Sequence, residues 1–233
     1  MNIKVLKFSA IIVLILSVSS CDVGLQEQFD FQPEAVEKVP FENITAWEFI
    51  QSRTPPLLAN GRYDALEFNY FEAAIRKADM VNEYNQVATT DRTYLMLDNR
   101  AFTGNGNIIQ IVTGSSSVPA GQTADETMDR VDTPAKLEKL RTLLRYHIVA
   151  SYVLQVPTLF QSETDYLFQT LIPGDDGLIA FRRDVIYRIT VNAPGAPLPT
   201  TATSWWEQVW AHNYQFNNGI GHVLRDPVRN KPY

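Results

Sequence analysis

Apolar residues recur along this chain with two different periods, and the change of period separates a helical first half from a strand-rich second half. Leu66, Tyr70, Phe71, Ala74, Ile75 and Ala78 fall at three- and four-residue intervals, which predicts an amphipathic helix from Asp64 to about Met80. Ahead of it, Thr45-Ala-Trp-Glu48 has the spacing of a capping box and predicts a short helix to about Arg53, ended by Pro55 and Pro56. Thr133 followed by Pro134 marks another start, and Leu137, Leu140, Leu143 and Leu144 then form an apolar stripe that should end near Tyr146. Thr93 to Leu97 and Ile108 to Val112 read as short strands on either side of Gly104-Asn-Gly106, and the Ser-, Thr- and Gly-rich stretch from Thr113 to Thr127 reads as an exposed loop. After Gly177 the period becomes two: Val185, Tyr187, Ile189 and Val191 alternate with their neighbours as in a strand buried on one face. Helices that lead and strands that follow favour an α+β fold over a doubly wound parallel sheet.

The first 20 residues do not belong to that pattern. Lys4 and Lys7 precede an apolar run from Phe8 to Leu16, about half of what a membrane-spanning helix needs, so the run is expected to be an export signal that is cleaved. The chain's single cysteine, Cys21, follows Val18-Ser-Ser20 directly. Small residues before a cysteine at the end of an apolar run resemble a bacterial lipobox, which implies acylation of Cys21 and anchorage to a membrane. Cleavage would remove two lysines and no acid, taking the net charge from -6 to -8. Acyl chains rather than basic residues would then hold the protein to a bilayer. Residues 21–43 are acidic and aperiodic, as expected of a tether; residues 44–228 make one domain and 229–233 a short tail.

Composition narrows the chemistry. With 45% hydrophobic and 20% charged residues the 233-residue chain is an ordinary globular protein. Its pI near 5.1 gives no electrostatic footprint for nucleic acid. One cysteine excludes an intramolecular disulfide, a Cys-rich zinc site and a Cys-x-x-Cys redox pair. There is no Gly-x-Ser-x-Gly elbow, His-Glu-x-x-His pair or phosphate loop, and Gly174-Asp-Asp-Gly177 has too few ligands for a calcium loop. No cofactor or metal is expected. A two-carboxylate polysaccharide hydrolase remains as a lesser alternative, because its acids need no fixed spacing.

Three segments, in order, resemble the fasciclin domain. Thr93-Tyr-Leu-Met-Leu-Asp-Asn-Arg-Ala-Phe102 is similar to its first motif, Leu140-Arg-Thr-Leu-Leu-Arg-Tyr-His-Ile-Val149 to its central helix-to-strand segment, and Asn218-Gly-Ile-Gly-His-Val-Leu-Arg-Asp-Pro227 to its closing strand. Thr170-Leu171, Gly174 and Val191-Asn192 look like the segments before that strand. Met96-Leu97-Asp98 departs from the family's usual Ala-Pro-Thr, and a tryptophan-rich insert precedes the closing strand. The resemblance implies a fasciclin-like wedge of β-strands, a small β-sandwich with flanking helices, and a non-catalytic role in adhesion or extracellular binding. It also implies a lipoprotein like those of Bacteroidetes-like bacteria, in the cell envelope at the outer membrane, facing the periplasm or the surface, with a protein or glycan partner. Nothing in the sequence sets an oligomeric state.

On that resemblance Phe102, His147, Asn218, Gly219 and His222 are motif positions with structural roles, and the Tyr146-His147 pair corresponds to a pair associated with adhesion in animal relatives. A histidine at a helix-to-strand junction more commonly satisfies backbone carbonyls. Ser204-Trp-Trp-Glu207 again has capping-box spacing, which predicts a helix with Trp205, Trp206 and Trp210 on one face. Those indoles are expected to cap the core; the alternative is a surface platform for a glycan, a protein or the membrane interface.

Overall fold

A computed structural model describes residues 39–104, 106–199 and 205–228. The proposed signal, Cys21 and most of the proposed tether lie outside them. Strand β2 (Thr93–Leu97) is the centre: all five residues are buried. It runs parallel to β9 (Gly219–Leu224), from Thr93 opposite Ile220 to Leu97 opposite Leu224, and antiparallel to β3 (Ile148–Val149). A strand covered on both faces needs apolar side chains at nearly every position. Thr93, the polar exception, donates its hydroxyl to the Ser151 carbonyl at 2.7 Å and accepts the Val153 N–H at 2.8 Å. β8 (Ala211–Phe216) folds back on β9 across Asn217-Asn218, and β1 (Val39–Phe41) adds in parallel, giving the order β1-β8-β9-β2-β3. The three segments that carry the family resemblance supply the adjacent strands β9, β2 and β3.

A second, antiparallel sheet has the order β4 (Asp165–Gln169), β5 (Leu178–Arg183), β6 (Ile189–Val191) and β7 (Glu207–Gln208). A bridge between Val149 and Thr170 connects it to the first. Among the described residues seven α-helices flank the sheets: α1 (Ala46–Ser52), α2 (Asn69–Lys77), α3 (Val81–Asn85), α4 (Asn99–Phe102), α5 (Ile108–Thr113), α6 (Ala124–Met128) and α7 (Pro134–Tyr146). The fold is therefore α+β. In α1 the capping box is formed in full, with Thr45 Oγ1 accepting the Glu48 N–H at 3.1 Å and Glu48 Oε2 accepting the Thr45 N–H at 2.7 Å. Proline begins α7 under a Thr133 cap, and Leu140, Leu143 and Leu144 bury its inner face in a core shared with both sheets.

Several elements differ from the sequence reading. Ile108 to Val112 is helix, not strand: Ile108, Ile109 and Val112 are buried on one helical face, and Gly114 closes α5 at a left-handed φ of 83°. The β-preference of isoleucine and valine yields there to packing. The stretch expected to be an exposed loop contains α6, opened by a second complete capping box, Thr123 with Glu126. Leu66 lies outside α2 and is exposed, because Asp64 Oδ1 takes the Leu66 N–H into a turn instead. Only Ile189 to Val191 of the expected strand is strand. Asp184 Oδ1 accepts the N–H groups of Ile186 and Arg188, which turns the chain and exposes Val185 and Ile186. Residues 39–41, assigned to the tether, form β1 beside β8. The tryptophan-bearing segment is not a helix: it runs extended through β7 to the start of β8, with Trp205 and Trp206 just before β7 and Trp210 between the two strands. An Asn-Gly hairpin directly downstream fixes it as extended.

Candidate functional site

His147 and His222 have structural roles. His147 follows the end of α7, fully buried, with Nδ1 2.8 Å from the Leu143 carbonyl oxygen and Nε2 accepting the Val228 N–H at 3.1 Å. In His222, within β9, the ring is reversed: Nε2 is 2.8 Å from the Val153 carbonyl and Nδ1 accepts the Asn213 N–H at 3.2 Å. Each ring donates once and accepts once, so each is the neutral tautomer. Burial pushes both pKa values down to about 4, against the smaller opposing effect of the carbonyl each ring faces. Tyr146 is buried as well; its hydroxyl donates to the Leu178 carbonyl at 2.8 Å and receives Asn192 Nδ2 at 3.0 Å. Tyr146 and His147 therefore present no surface, and the adhesive role carried by the resemblance does not reside in them.

Asn218 and Gly219 have comparable duties. Asn218 Oδ1 accepts the Ala46 N–H at 3.0 Å and its Nδ2 donates to the Tyr84 carbonyl at 2.8 Å, tying the β8–β9 turn to α1 and α3. Gly219 has φ of 149°, and a Cβ there would stand 2.5 Å from the Arg92 carbonyl oxygen. Phe102 is buried against Tyr70 and Phe71.

The tryptophans are the group on the outside. Trp205, Trp206 and Trp210 are 38%, 50% and 56% exposed, so they do not cap the core as expected. Their backbone passes from one sheet to the other: Val209 N–H donates to Ile189 of β6 and Trp210 N–H to Val223 of β9, each at 2.8 Å. Val209 points inward and Trp210 outward. The Trp205 ring lies on the α4–α5 connection, where a Cβ on Gly106 would stand 3.3 Å from it.

Charged side chains surround Trp210. The buried Asp98 carboxylate caps α4 by accepting the Arg100 N–H at 2.9 Å and pairs with the Arg100 guanidinium, which stands 5.8 Å from the Trp210 ring centroid. The Arg225 guanidinium lies over the same ring. Arg225 Nε is buried with no hydrogen-bond partner among the described residues. Desolvation, then the charge of Arg100, lowers the Arg225 pKa. Glu207 is pushed up to about 7, first by burial and then by the charges of Asp226 and Asp98; burial also raises Asp226. The sequence marks none of these five ionisable residues as a site: Glu207 has only capping-box spacing, and Asp98, Arg100, Arg225 and Asp226 fall in the fasciclin-like segments without a chemical signature of their own.

Two depressions adjoin this cluster. One, about 110 Å³, is lined by Phe68, Trp210 and Tyr214 with Asp98 and Arg53; the other, about 180 Å³, by Tyr63 and Tyr70 with Arg62, Asn99 and Arg100. A larger, open depression of about 440 Å³ lies by the 113–122 loop. Its Arg130 is engaged by the carbonyls of Ser115 and Ser117, so its charges hold the loop rather than converge on a ligand. Among the described residues no group of three or more His, Cys, Asp or Glu could hold a metal ion, and no helix is long and apolar enough to cross a membrane.

No protein-family model matches the chain, and no curated protein does. Among solved structures it is similar to a FAS1 domain pair from the insect cell adhesion molecule Fasciclin I, at 18% identity and a TM-score of 0.42. That similarity covers 70% of this chain and 45% of the other, so the chain spans less than half of the protein it matches.

Proposed function

We propose that this protein is a non-catalytic binding module of the cell envelope, held by an acylated Cys21, whose contact surface is the tryptophan-bearing end. The observation that carries the reading is the exposure of three indoles within six residues on a backbone fixed by both sheets. Large aromatic side chains left in water on rigid elements are typical of recognition surfaces, because they offer apolar area at low cost in side-chain entropy. The lipobox-like junction and the fasciclin-like segments support display outside the cytoplasm and an adhesive or accessory role.

Two measurements test the two halves. Cys21→Ser in the full chain should move the protein from the membrane to the soluble fraction, and an unchanged membrane fraction would reject the anchor. Capture of the full chain by isolated cell envelopes should fall when Trp205, Trp206 and Trp210 are replaced by alanine, and undiminished capture would reject the surface. Release of reducing ends from a polysaccharide by the purified protein would replace the binding role with a hydrolytic one.

A further inference from the structure

We infer that the tryptophan-bearing surface takes a neutral oligosaccharide, laid across the two depressions beside Arg100 with about one sugar ring in each. The inference rests on the reading of this end as the contact surface. Size is the first reason. At about 110 and 180 Å³ both depressions are below the range of compact ligand sites, which usually exceed about 300 Å³. They are also neighbours, because Asp98 lines one while Asn99 and Arg100 line the other. Paired shallow sites suit a chain of repeating units better than a single compact molecule.

Lining chemistry is the second reason. Each depression combines aromatic faces with planar polar groups. Trp210 and the half-buried Tyr214 supply the accessible aromatic surface in one, beside Arg53, while Phe68 and Asp98 there are buried; the half-buried Tyr63, packed edge to face on the buried Tyr70 at 5.4 Å, supplies it in the other, beside Arg62 and Arg100. Sugar rings have apolar C–H faces that stack on aromatic rings and rims of hydroxyls that accept and donate. A guanidinium can meet two adjacent hydroxyls at once. Arg225, whose guanidinium lies over Trp210, has a buried Nε without a partner among the described residues, and a turn of this side chain on binding would bring that donor to an added hydroxyl.

Charge selects among ligands. Arg53, Arg62, Arg100 and Arg225 on this surface are partly offset by Glu67, Asp98 and Asp226, and the chain as a whole carries a net charge of -6, so a polyanion or an anionic bilayer meets no attractive long-range field. A peptide added as a strand is also disfavoured, because the Val209 and Trp210 N–H groups are already engaged by β6 and β9.

The test is calorimetric titration of the full chain with short neutral gluco-, manno- and xylo-oligosaccharides, a uronic acid polymer, a sulfated polymer, and phosphatidylglycerol–phosphatidylethanolamine vesicles. Saturable binding of one neutral series is expected with Kd below about 1 mM. It should strengthen from monomer to oligomer, weaken at least about tenfold in Trp210→Ala, and weaken less in Arg62→Ala. Where Trp210→Ala lowers the melting temperature, Trp210→Phe and Arg225→Gln give the comparison in folded protein: retention in the first and weakening in the second are expected. Binding confined to the charged polymers or to vesicles, or no binding to any neutral series, overturns the inference. Envelope capture separates this from failure of the surface itself. Capture that depends on Trp210 and is abolished by periodate supports a glycan. Capture that depends on Trp210 and is abolished by protease but not periodate overturns the glycan and leaves the surface standing. Capture indifferent to Trp210 overturns both.

Discussion

The histidine-bearing strands and the tryptophan-bearing end both place polar side chains among apolar ones, and they resolve the conflict in opposite ways. Around β3 and β9 every ring nitrogen of His147 and His222 has a backbone partner, and both rings are neutral. Around Trp210 the charges are only partly matched: Asp98 has Arg100, while Arg225 Nε has no partner and Glu207 has acidic neighbours. Complete satisfaction marks a region selected for stability, and incomplete satisfaction beside exposed indoles marks one where an outside group can still contribute.

Acid should produce the largest effect. Both buried histidines have pKa values below that of the unfolded chain, so the unfolded state binds more protons as pH falls from 6.5 to about 4. Their contribution is complete above pH 6.5 and is lost through that window, at most about 3 kcal/mol for each ring. Glu207, held protonated to higher pH than an ordinary glutamate, works the other way between about 4.5 and 7 and is weaker because it is partly in water. Urea midpoints that stay level from pH 6.5 to 4 would contradict the neutral-imidazole assignment. Next in size is Asn218→Ala, which leaves the Ala46 N–H and the Tyr84 carbonyl without their partner and should cost about 2–4 kcal/mol in urea unfolding. The smallest change should come from Trp210→Ala, the most exposed of the three indoles. That variant should lose binding yet lie within about 2 kcal/mol of the parent, since more than half of the side chain is already in water. A collapse of its stability would make this end part of the core and erase the contrast.

Legibility in the sequence followed the same division. Thr45 with Glu48, Thr133 with Pro134 and the four consecutive apolar residues of β2, Tyr94 to Leu97, declare themselves, because local hydrogen bonding and burial agree there. The α5 residues Ile-Ile-Gln-Ile-Val satisfy a helical and an extended pattern alike, and only Gly114 at the end distinguishes them. For the tryptophans the spacing 205, 206, 210 fits a helical face, while the Asn-Gly turn after Phe216 requires a hairpin; the long-range pairing with β9 prevails. The grouping of Asp98, Arg100, Glu207, Arg225 and Asp226 arises from three distant segments meeting, so no window of sequence displays it.

The five-stranded sheet ends in β1 on one side and β3 on the other, three and two residues long. A strand that short offers a passing chain almost no ladder to extend. Copies brought close together would find little in this sheet with which to polymerise, and their contacts would be left to side chains.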